Sequence, residues 1–308
     1  MDLDALNFTS TTRPIAALAE GAPGTLAIIV GVDGPSYRPL GAMMAVLEGR
    51  RRVGSLSSGC VEADIALHAE EARDASATRR VLYGRGSPFK DIQLPCGGGL
   101  DILLIPNPDP GVLAEAQARH AAREACTLEA NPETGTLSLA DDGETGWSGT
   151  RFRVRIDPEI AFLVFGKGPE ASTFAALAQS AGFPNTVLSP DEETLDVARA
   201  AGCATRHLVS ARFPGDLTPD RRTAVVLFFH DHEWEPPIIA AALDTPAFYI
   251  GAQGSQRARQ TREFELEALG LAPEQFARMK GPIGLVPSAR DARTLAVSVL
   301  AEVLAHQG

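Results

Sequence analysis

The chain has 308 residues, and at roughly 150 residues per domain this length predicts two domains that can each bury a core. Its formal net charge of −11 argues against a general nucleic-acid or anionic-membrane surface, and its content of 44% hydrophobic and 22% charged residues is that of a globular protein. No apolar run reaches the ~18 residues of a membrane helix, and the first residues lack the basic start of a signal peptide, so we expect a cytoplasmic protein without nucleic-acid or membrane partners.

The four cysteines are expected to be reduced thiols, because the cytosol keeps most disulfides open. They are Cys60, Cys96, Cys126 and Cys203, and none of them forms a C-x-x-C pair. The closest two are 30 residues apart in the sequence, a spacing that argues against a structural zinc site.

The first part of the chain, residues 1–110, predicts a mixed α/β domain. Short apolar runs that end in turn residues predict strands, and a longer stretch after the second run predicts a helix. The strands are expected at residues 24–32, 42–47, 81–83 and 100–106, and the helix at residues 61–75. Residues 111–156 then predict a connector, with a helix over 112–125 and a hairpin within 131–150.

The last part, residues 157–308, predicts a Rossmann-like domain with a parallel sheet. A hydrophobic strand that begins after Ile160 leads through a glycine turn into a helix over 170–181, which is a βαβ opening. Further strands are expected at 186–188, 224–229 and 247–251, and further helices at 237–243 and 288–306. The predicted fold class is therefore α/β with two domains.

A glycine turn at the start of the second domain fits the G-x-G-x-x-A pattern of dinucleotide-binding proteins through Gly166 and Gly168. Such glycines let a phosphate approach the backbone at a helix N-terminus. However, Pro169 has no amide hydrogen, and Ser189 stands where an acidic residue would hold a ribose. Two interpretations stay open: an NAD(P) site, or a scaffold whose glycines only make a tight turn.

A polar segment, His230, Asp231 and His232, directly follows the strand at 224–229. This is the carboxyl edge of the predicted sheet, where open α/β folds place their ligands. The alternative is that Asp231 caps the next helix and that the histidines are solvated.

Two cysteines of the first domain lie in glycine-containing turns. Cys60 stands just before a predicted helix, whose dipole would favour a thiolate, and Cys96 precedes the run Gly97–Gly99, whose amides could line an anion pocket. Each cysteine could equally be a small buried hydrophobe. Arg38 is a donor suited to a phosphate or a carboxylate, whereas Arg50–Arg52 are expected to form a solvated hairpin tip.

Three ordered motifs together resemble the XdhC/CoxI family. They are GPSYRPLGAMM at 34–44, GSLSSGCVE at 54–62 and LPCGGG at 94–99, and the segments at 249–255 and 281–285 resemble the Rossmann domain of the same family. Its members are accessory factors for xanthine dehydrogenase and related molybdenum hydroxylases. The resemblance implies a non-catalytic protein, expected to be a homodimer, that binds molybdenum cofactor (molybdopterin). It would hold the cofactor while a cysteine desulfurase replaces an oxo ligand by sulfide, and then deliver it to apo-xanthine dehydrogenase or a related enzyme.

The resemblance also implies a set of cofactor-binding residues in both domains. In this sequence they are Arg38, Gly59, Cys60, Glu62, Cys96, Gly97, Gly98 and Gly99, together with Gly166, Gly168, His230, Asp231 and His232. Cys60 and Cys96 would lie near the molybdenum. Two other functions remain open: an NAD(P)-dependent oxidoreductase built on the second domain, and an assembly factor that bridges a hydroxylase and a desulfurase without holding cofactor.

Overall fold

The computed structural model describes residues 10–59, 61–84, 97–230 and 233–307. It divides into two compact units, Met1–Pro158 and Glu159–Gly308, here called unit 1 and unit 2. Among the described residues, no helix is both long and apolar enough to cross a membrane.

Unit 1 is built on a five-stranded antiparallel sheet with the strand order β3-β2-β1-β5-β4. Its central strand, β1, is buried over most of its length because both faces of the sheet are covered. The strands are β1 (Gly24–Asp33), β2 (Met43–Leu47), β3 (Arg52–Gly54), β4 (Arg79–Tyr83) and β5 (Gly99–Pro106), and the helices α1 (Thr12–Ala19) and α2 (Glu62–Asp74) pack on the sheet.

The two faces of this sheet carry separate hydrophobic cores, as the alternation of side chains along a strand requires. Ile29 of β1 packs with Ile65 of α2 on one face. On the other face, Ile28 packs with residues of α1 and of a second, four-stranded antiparallel sheet. That sheet has the order β7-β6-β9-β8 and consists of β6 (Cys126–Ala130), β7 (Leu137–Ala140), β8 (Gly146–Ser148) and β9 (Arg151–Ile156), preceded by helix α3 (Pro110–Ala121).

Residues 111–156, expected to be a connector, therefore contribute to the core of unit 1. Leu113, Leu128 and Phe152 are completely buried and share one cluster with Ile28 of the main sheet. The helix expected over 112–125 ends at Ala121. Whether the chain is best divided at residue 110 as well as near 157 stays a prediction, although the contacts group these residues with unit 1.

Unit 2 has the predicted parallel sheet, with the strand order β12-β11-β10-β13-β14-β15. This is the doubly wound arrangement, in which the chain direction across the sheet switches between β10 and β13. The strands are β10 (Ala161–Gly166), β11 (Asn185–Ser189), β12 (Ala204–His207), β13 (Thr223–Phe228), β14 (Tyr249–Ala252) and β15 (Met279–Lys280). The helices are α4 (Pro169–Ser180), α5 (Glu192–Ala200), α6 (Glu235–Leu243), α7 (Gln256–Ala268), α8 (Pro273–Phe276) and α9 (Ala292–Ala305). The predicted two-part α/β fold is confirmed.

The last helix begins later than residue 288, where the sequence placed its start. It begins at Ala292, because Asp291 is its N-cap and accepts a hydrogen bond from the Thr294 amide at 2.9 Å. Ser288 has a positive φ of 55°, which is incompatible with a helix.

A buried ion pair joins the helices α6 and α7 of unit 2. The Nη2 and Nε atoms of Arg262 donate to Glu235 Oε2 at 2.9 and 3.0 Å, and Arg262 Nη2 also donates to the Gln253 carbonyl at 2.8 Å. Both charged side chains are buried, at 1% and 0% exposure. The pair thus ties the segment after β14 to the helices that flank it.

Removing one partner of this pair is expected to destabilise unit 2 strongly. In Arg262→Met the Glu235 carboxylate stays buried without its guanidinium, at a cost of about 3–5 kcal/mol. The free energy of unfolding is to be measured in urea by the fluorescence of Trp234 in a Trp147→Phe background, which leaves one tryptophan in the chain. The exposed Arg257→Met is the control and should change that free energy by less than about 0.5 kcal/mol. Equal unfolding midpoints for the two variants would contradict the structural role of the pair.

Candidate functional site

Three segments of unit 1 meet at one end of its five-stranded sheet. The strand register pairs Asp33 with Gly99, Leu100 with Tyr83, and Met44 with Gly54. The loops that follow β1 and β3 and the segment that leads into β5 therefore leave the sheet at the same end. These are the three segments that carried the sequence motifs of the first domain.

The carboxylate of Glu62 organises the loop between β3 and α2. Glu62 is the first residue of α2 and is only 4% exposed. Its Oε1 accepts from the Ser55 hydroxyl at 2.8 Å and from the amides of Leu56 and Ser57 at 3.1 and 2.7 Å. Its Oε2 accepts from the Ser57 hydroxyl at 2.5 Å and from the Val61 amide at 3.2 Å. The carboxylate thus binds the inside of its own loop, which makes Glu62 a positioning residue.

These hydrogen bonds keep Glu62 ionised. Burial by itself raises the pKa of a carboxyl group, but the hydrogen bonds from the hydroxyl and amide of Ser57, from Ser55 and from the Gly59 backbone outweigh it. The net effect lowers the pKa of Glu62 from 4.5 to about 2. The loop therefore depends on a negative charge that is present throughout the physiological pH range.

A cavity of about 590 Å³ opens beside this loop along the β3 edge of the sheet. Its lining includes Arg50–Arg52, the hydroxyl-bearing residues Ser55 and Ser58, and Gly59. Arg50 is paired with Glu70 of α2 at 2.7 Å, whereas Arg51 and Arg52 have no ion-pair partner in the described part of the chain. Because the loop amides of Leu56, Ser57 and Val61 point at Glu62, the arginines provide the positive charge of this cavity.

Arg38 lies on the neighbouring loop, between β1 and β2. The Ser36 hydroxyl donates to the Arg38 carbonyl at 2.7 Å and accepts from the Arg38 amide at 3.3 Å, which fixes a tight turn. The guanidinium is partly buried, and this burial lowers the pKa of Arg38. A partly desolvated guanidinium pairs more strongly with an anion than an exposed one.

The glycine run at the start of β5 makes its closest contacts with the protein itself. A Cβ at Gly98 would lie 2.0 Å from the Pro35 carbonyl oxygen, and one at Gly84 would lie 2.1 Å from the Gly98 oxygen. Gly98 therefore lets the loop after β1 pack against the start of β5. Gly97 has a φ of +70° and no atom within 4 Å of its missing Cβ, so its face is open to a ligand.

Four of the predicted site residues lie outside the described residues. These are Cys60, Cys96, Asp231 and His232. The other two thiols, Cys126 and Cys203, are free and buried, and burial raises the pKa of each. They are inert members of the two cores. Within the described ranges, no group of three His, Cys, Asp or Glu side chains could hold a metal ion.

In unit 2, the turn between β10 and α4 is occupied by groups of the chain. The Gly168 amide donates to the Thr194 hydroxyl at 2.8 Å, and Thr194 in turn donates to Asp191 Oδ2 at 2.5 Å. A Cβ at Gly168 would lie 3.5 Å from Glu170 Oε2, so the Glu170 carboxylate lies next to the turn. Gly166 ends β10, and a Cβ there would lie 2.7 Å from the Phe228 oxygen, so this glycine permits close packing of β10 and β13.

His230 lies at the carboxyl edge of the sheet, as predicted from the sequence. Its Nε2 is 3.5 Å from Glu170 Oε2 and 3.5 Å from Gln253 Nε2. All three side chains line a cavity of about 530 Å³ at the switch point between β10 and β13.

Sequence reasoning missed two parts of these sites. Gln253 is only 7% exposed and follows β14 directly, so the rule that selected His230 could also have selected it. Arg51 and Arg52 were expected at a solvated hairpin tip, and β3 is so short that the hairpin and the loop after it line one cavity. The exact length of such a strand cannot be obtained from hydropathy alone.

Comparison with known proteins identifies relatives over nearly the whole chain. Residues 17–84 match the model of the XdhC and CoxI family, and residues 162–303 match the XdhC Rossmann domain. The chain is 36% identical over 290 residues to "Molybdenum cofactor insertion chaperone PaoD" of Escherichia coli, which covers 94% of this chain and 85% of that protein. It is 25% identical to a protein of Bacillus subtilis named as a probable xanthine dehydrogenase subunit, and this match covers 94% of each chain.

One solved structure has the same fold. It is a crystal structure from Bacillus halodurans described as a xanthine dehydrogenase, with a TM-score of 0.77 and 21% sequence identity. The match covers 96% of this chain and 95% of that one, so it includes both units.

Replacing the Glu62 carboxylate is expected to destabilise unit 1. Glu62→Gln loses the charge that receives five hydrogen bonds, at a cost of about 2–3 kcal/mol above pH 5. Because the pKa of Glu62 is lower in the folded state, its stabilisation is complete above about pH 4.5 and is lost as the pH falls towards 2. The difference in the free energy of unfolding between wild type and variant should therefore shrink over that range.

The measurement is urea unfolding at several pH values, followed by Trp147 fluorescence in a Trp234→Phe background. Exposed Glu124→Gln is the matched control and should leave the free energy of unfolding within about 0.5 kcal/mol of wild type. A Glu62→Gln effect that does not vary between pH 2 and 5 would disagree with the lowered pKa.

Proposed function

Because the chain belongs to the XdhC and CoxI family, we propose that it binds molybdenum cofactor as cargo and passes it to a molybdenum hydroxylase. The Escherichia coli relative bears the name of a molybdenum cofactor insertion chaperone, and the Bacillus subtilis relative is named for xanthine dehydrogenase. Both names favour a role in the maturation of such an enzyme. The chain would accordingly act as an accessory factor that binds and releases its cargo without transforming a substrate.

The observation that carries this proposal is the arginine-lined cavity of unit 1. Molybdopterin ends in a phosphate, and guanidinium groups bind phosphates through charge-assisted, forked hydrogen bonds. Arg51 and Arg52 have no competing carboxylate in the described part of the chain, and the hydroxyls of Ser55 and Ser58 supply further donors. The residues present therefore fit the phosphate of the cargo.

The remaining donors suit the other end of the cargo. In the sequence, Cys60 follows Gly59 of the cavity, and Cys96 precedes Gly97. Thiolates are soft ligands, and in this proposal these two hold the molybdenum. Arg38 and Gly97 lie in segments that leave the same end of the sheet and would contact the cofactor between its two ends.

The finer parts of the proposal follow the family resemblance. A cysteine desulfurase would supply sulfide to the bound cofactor, and apo-xanthine dehydrogenase or a related hydroxylase would receive it. The protein would act as a homodimer in the cytoplasm. An NAD(P)-dependent oxidoreductase is not favoured, because Thr194 occupies the Gly168 amide and Glu170 places a carboxylate beside the turn that would bind the pyrophosphate.

Removing the two unpaired arginines is expected to weaken cofactor binding. Arg51→Ala with Arg52→Ala removes two charge-assisted hydrogen bonds of about 1.5 kcal/mol each, which predicts an affinity about 100-fold lower. Protein and free molybdenum cofactor are to be incubated anaerobically and separated by gel filtration, and molybdenum and oxidised pterin are then counted per chain. Arg221→Ala with Arg257→Ala changes the net charge equally in unit 2 and should retain cofactor as wild type does. Full retention by the unit 1 variant over a dilution series would argue against the phosphate site.

The thiols are expected to affect the metal more than the phosphate. Cys60→Ala with Cys96→Ala should reduce the molybdenum retained per chain in the same experiment, because two soft ligands are lost. Cys126→Ala with Cys203→Ala, which removes the two buried thiols, is the matched control and should bind normally once its folding has been checked. Unaltered affinity in the first variant would exclude the thiols as ligands.

A further inference from the structure

The glycine turn of unit 2 leaves little room for a phosphate. In dinucleotide-binding Rossmann domains the pyrophosphate accepts hydrogen bonds from the amides at this turn. Here the Gly168 amide already donates to Thr194, and Pro169 has no amide hydrogen to donate. The Glu170 carboxylate, next to Gly168, adds a negative charge that would repel a phosphate.

The nearest acidic residue after β11 is also engaged within the chain. Asp191 caps helix α5, where its Oδ2 accepts from the Thr194 amide at 2.8 Å and from the Thr194 hydroxyl at 2.5 Å. These hydrogen bonds lower the pKa of Asp191. One connected set of hydrogen bonds from Gly168 through Thr194 to Asp191 thus uses the groups that would otherwise hold the phosphate and the ribose of a dinucleotide.

The open volume of the site lies on the other side of the switch point. The cavity of about 530 Å³ is large enough for a nucleoside, and its lining comes from the ends of β13 and β14, from the start of α4 and from the segment before α9. Phe229, Ile283 and Leu295 give it apolar walls suited to a planar ring.

Hydrogen-bond acceptors predominate at the polar end of this cavity. Gln253 is 93% buried, and its Nε2 lies 3.5 Å from the Phe229 carbonyl, while no described residue donates to its Oε1. Glu170 contributes a carboxylate that is 23% exposed and that accepts no hydrogen bond at Oε2 within the described residues. Buried acceptors of this kind normally receive a hydrogen bond, so a ligand here should bring N–H donors.

The charges around the cavity disfavour an anionic ligand. Apart from His230, the charged residues that line it are two acids, Glu170 and Asp291, and one base, Arg290. We propose that unit 2 binds an uncharged nitrogen heterocycle with an exocyclic amine, of nucleoside size, through Gln253 and Glu170, and that no pyrophosphate contacts its glycine turn. This inference concerns unit 2 alone and does not rest on the cofactor site of unit 1.

The test is calorimetric titration of the full chain with matched pairs of nucleosides. Cytidine and adenosine carry the amine, whereas uridine and inosine carry an oxygen at the same position. We expect saturable binding of at least one amine-bearing nucleoside and an affinity about tenfold lower for its oxygen counterpart, as expected when a charged acceptor loses its donor. NADH should bind no more tightly than adenosine. The proposal is overturned if neither amine-bearing nucleoside binds, if uridine or inosine binds as well as its partner, or if NADH binds much more tightly than adenosine.

Two variants assign the binding to these residues. Glu170→Gln keeps the shape of the side chain and should weaken binding of the amine-bearing nucleoside about tenfold, whereas exposed Glu193→Gln should not. Thr194→Val frees the Gly168 amide and should leave nucleoside binding unchanged. Trp234 fluorescence reports whether each variant is folded. If folded Glu170→Gln binds both members of a pair as wild type does, the carboxylate has no part in recognition and the proposal fails.

Discussion

The buried carboxylate of Glu62 holds the loop on which the unit 1 cavity depends. This single ionised group receives hydrogen bonds from two hydroxyls and three amides of residues 55–61. Because these amides point inward, the cavity owes its positive charge to side chains of the preceding hairpin. The loop is thereby rigid before any ligand arrives, and a preformed site loses less conformational entropy on binding.

The two units achieve the opposite balance between backbone and side chains. In unit 1, Arg51 and Arg52 are available to an anion, while the loop backbone is satisfied internally. In unit 2, the phosphate-binding turn of the Rossmann pattern is satisfied internally by Thr194, and the available groups are acceptors such as Gln253. The glycine pattern at Gly166 and Gly168 therefore describes the path of the chain and does not by itself describe a ligand.

The sequence predicted the elements that have a strong period and the segments that have a motif. The main sheet of each unit, the helix that carries Glu62 and the position of His230 at a strand end followed from hydropathy and from parallel-sheet topology. The arginine cavity did not, because it depends on the three-residue length of β3 and on the fold of α2 across it. Nor did the contact between Thr194 and Gly168, which joins residues 26 positions apart. Long-range pairs of this kind have no local signal in the sequence.

The crowding at Gly98 gives the three adjacent glycines unequal freedom to vary during evolution. At Gly98 any side chain would meet the Pro35 carbonyl, so substitution would separate β5 from the loop after β1 whether or not a ligand is bound. At Gly97 the left-handed conformation is the main restriction, and asparagine or aspartate can adopt it. An invariant Gly98 among natural variants would thus record the packing of this fold, whereas the residues accepted at Gly97 would record what the open face of the loop is required to recognise.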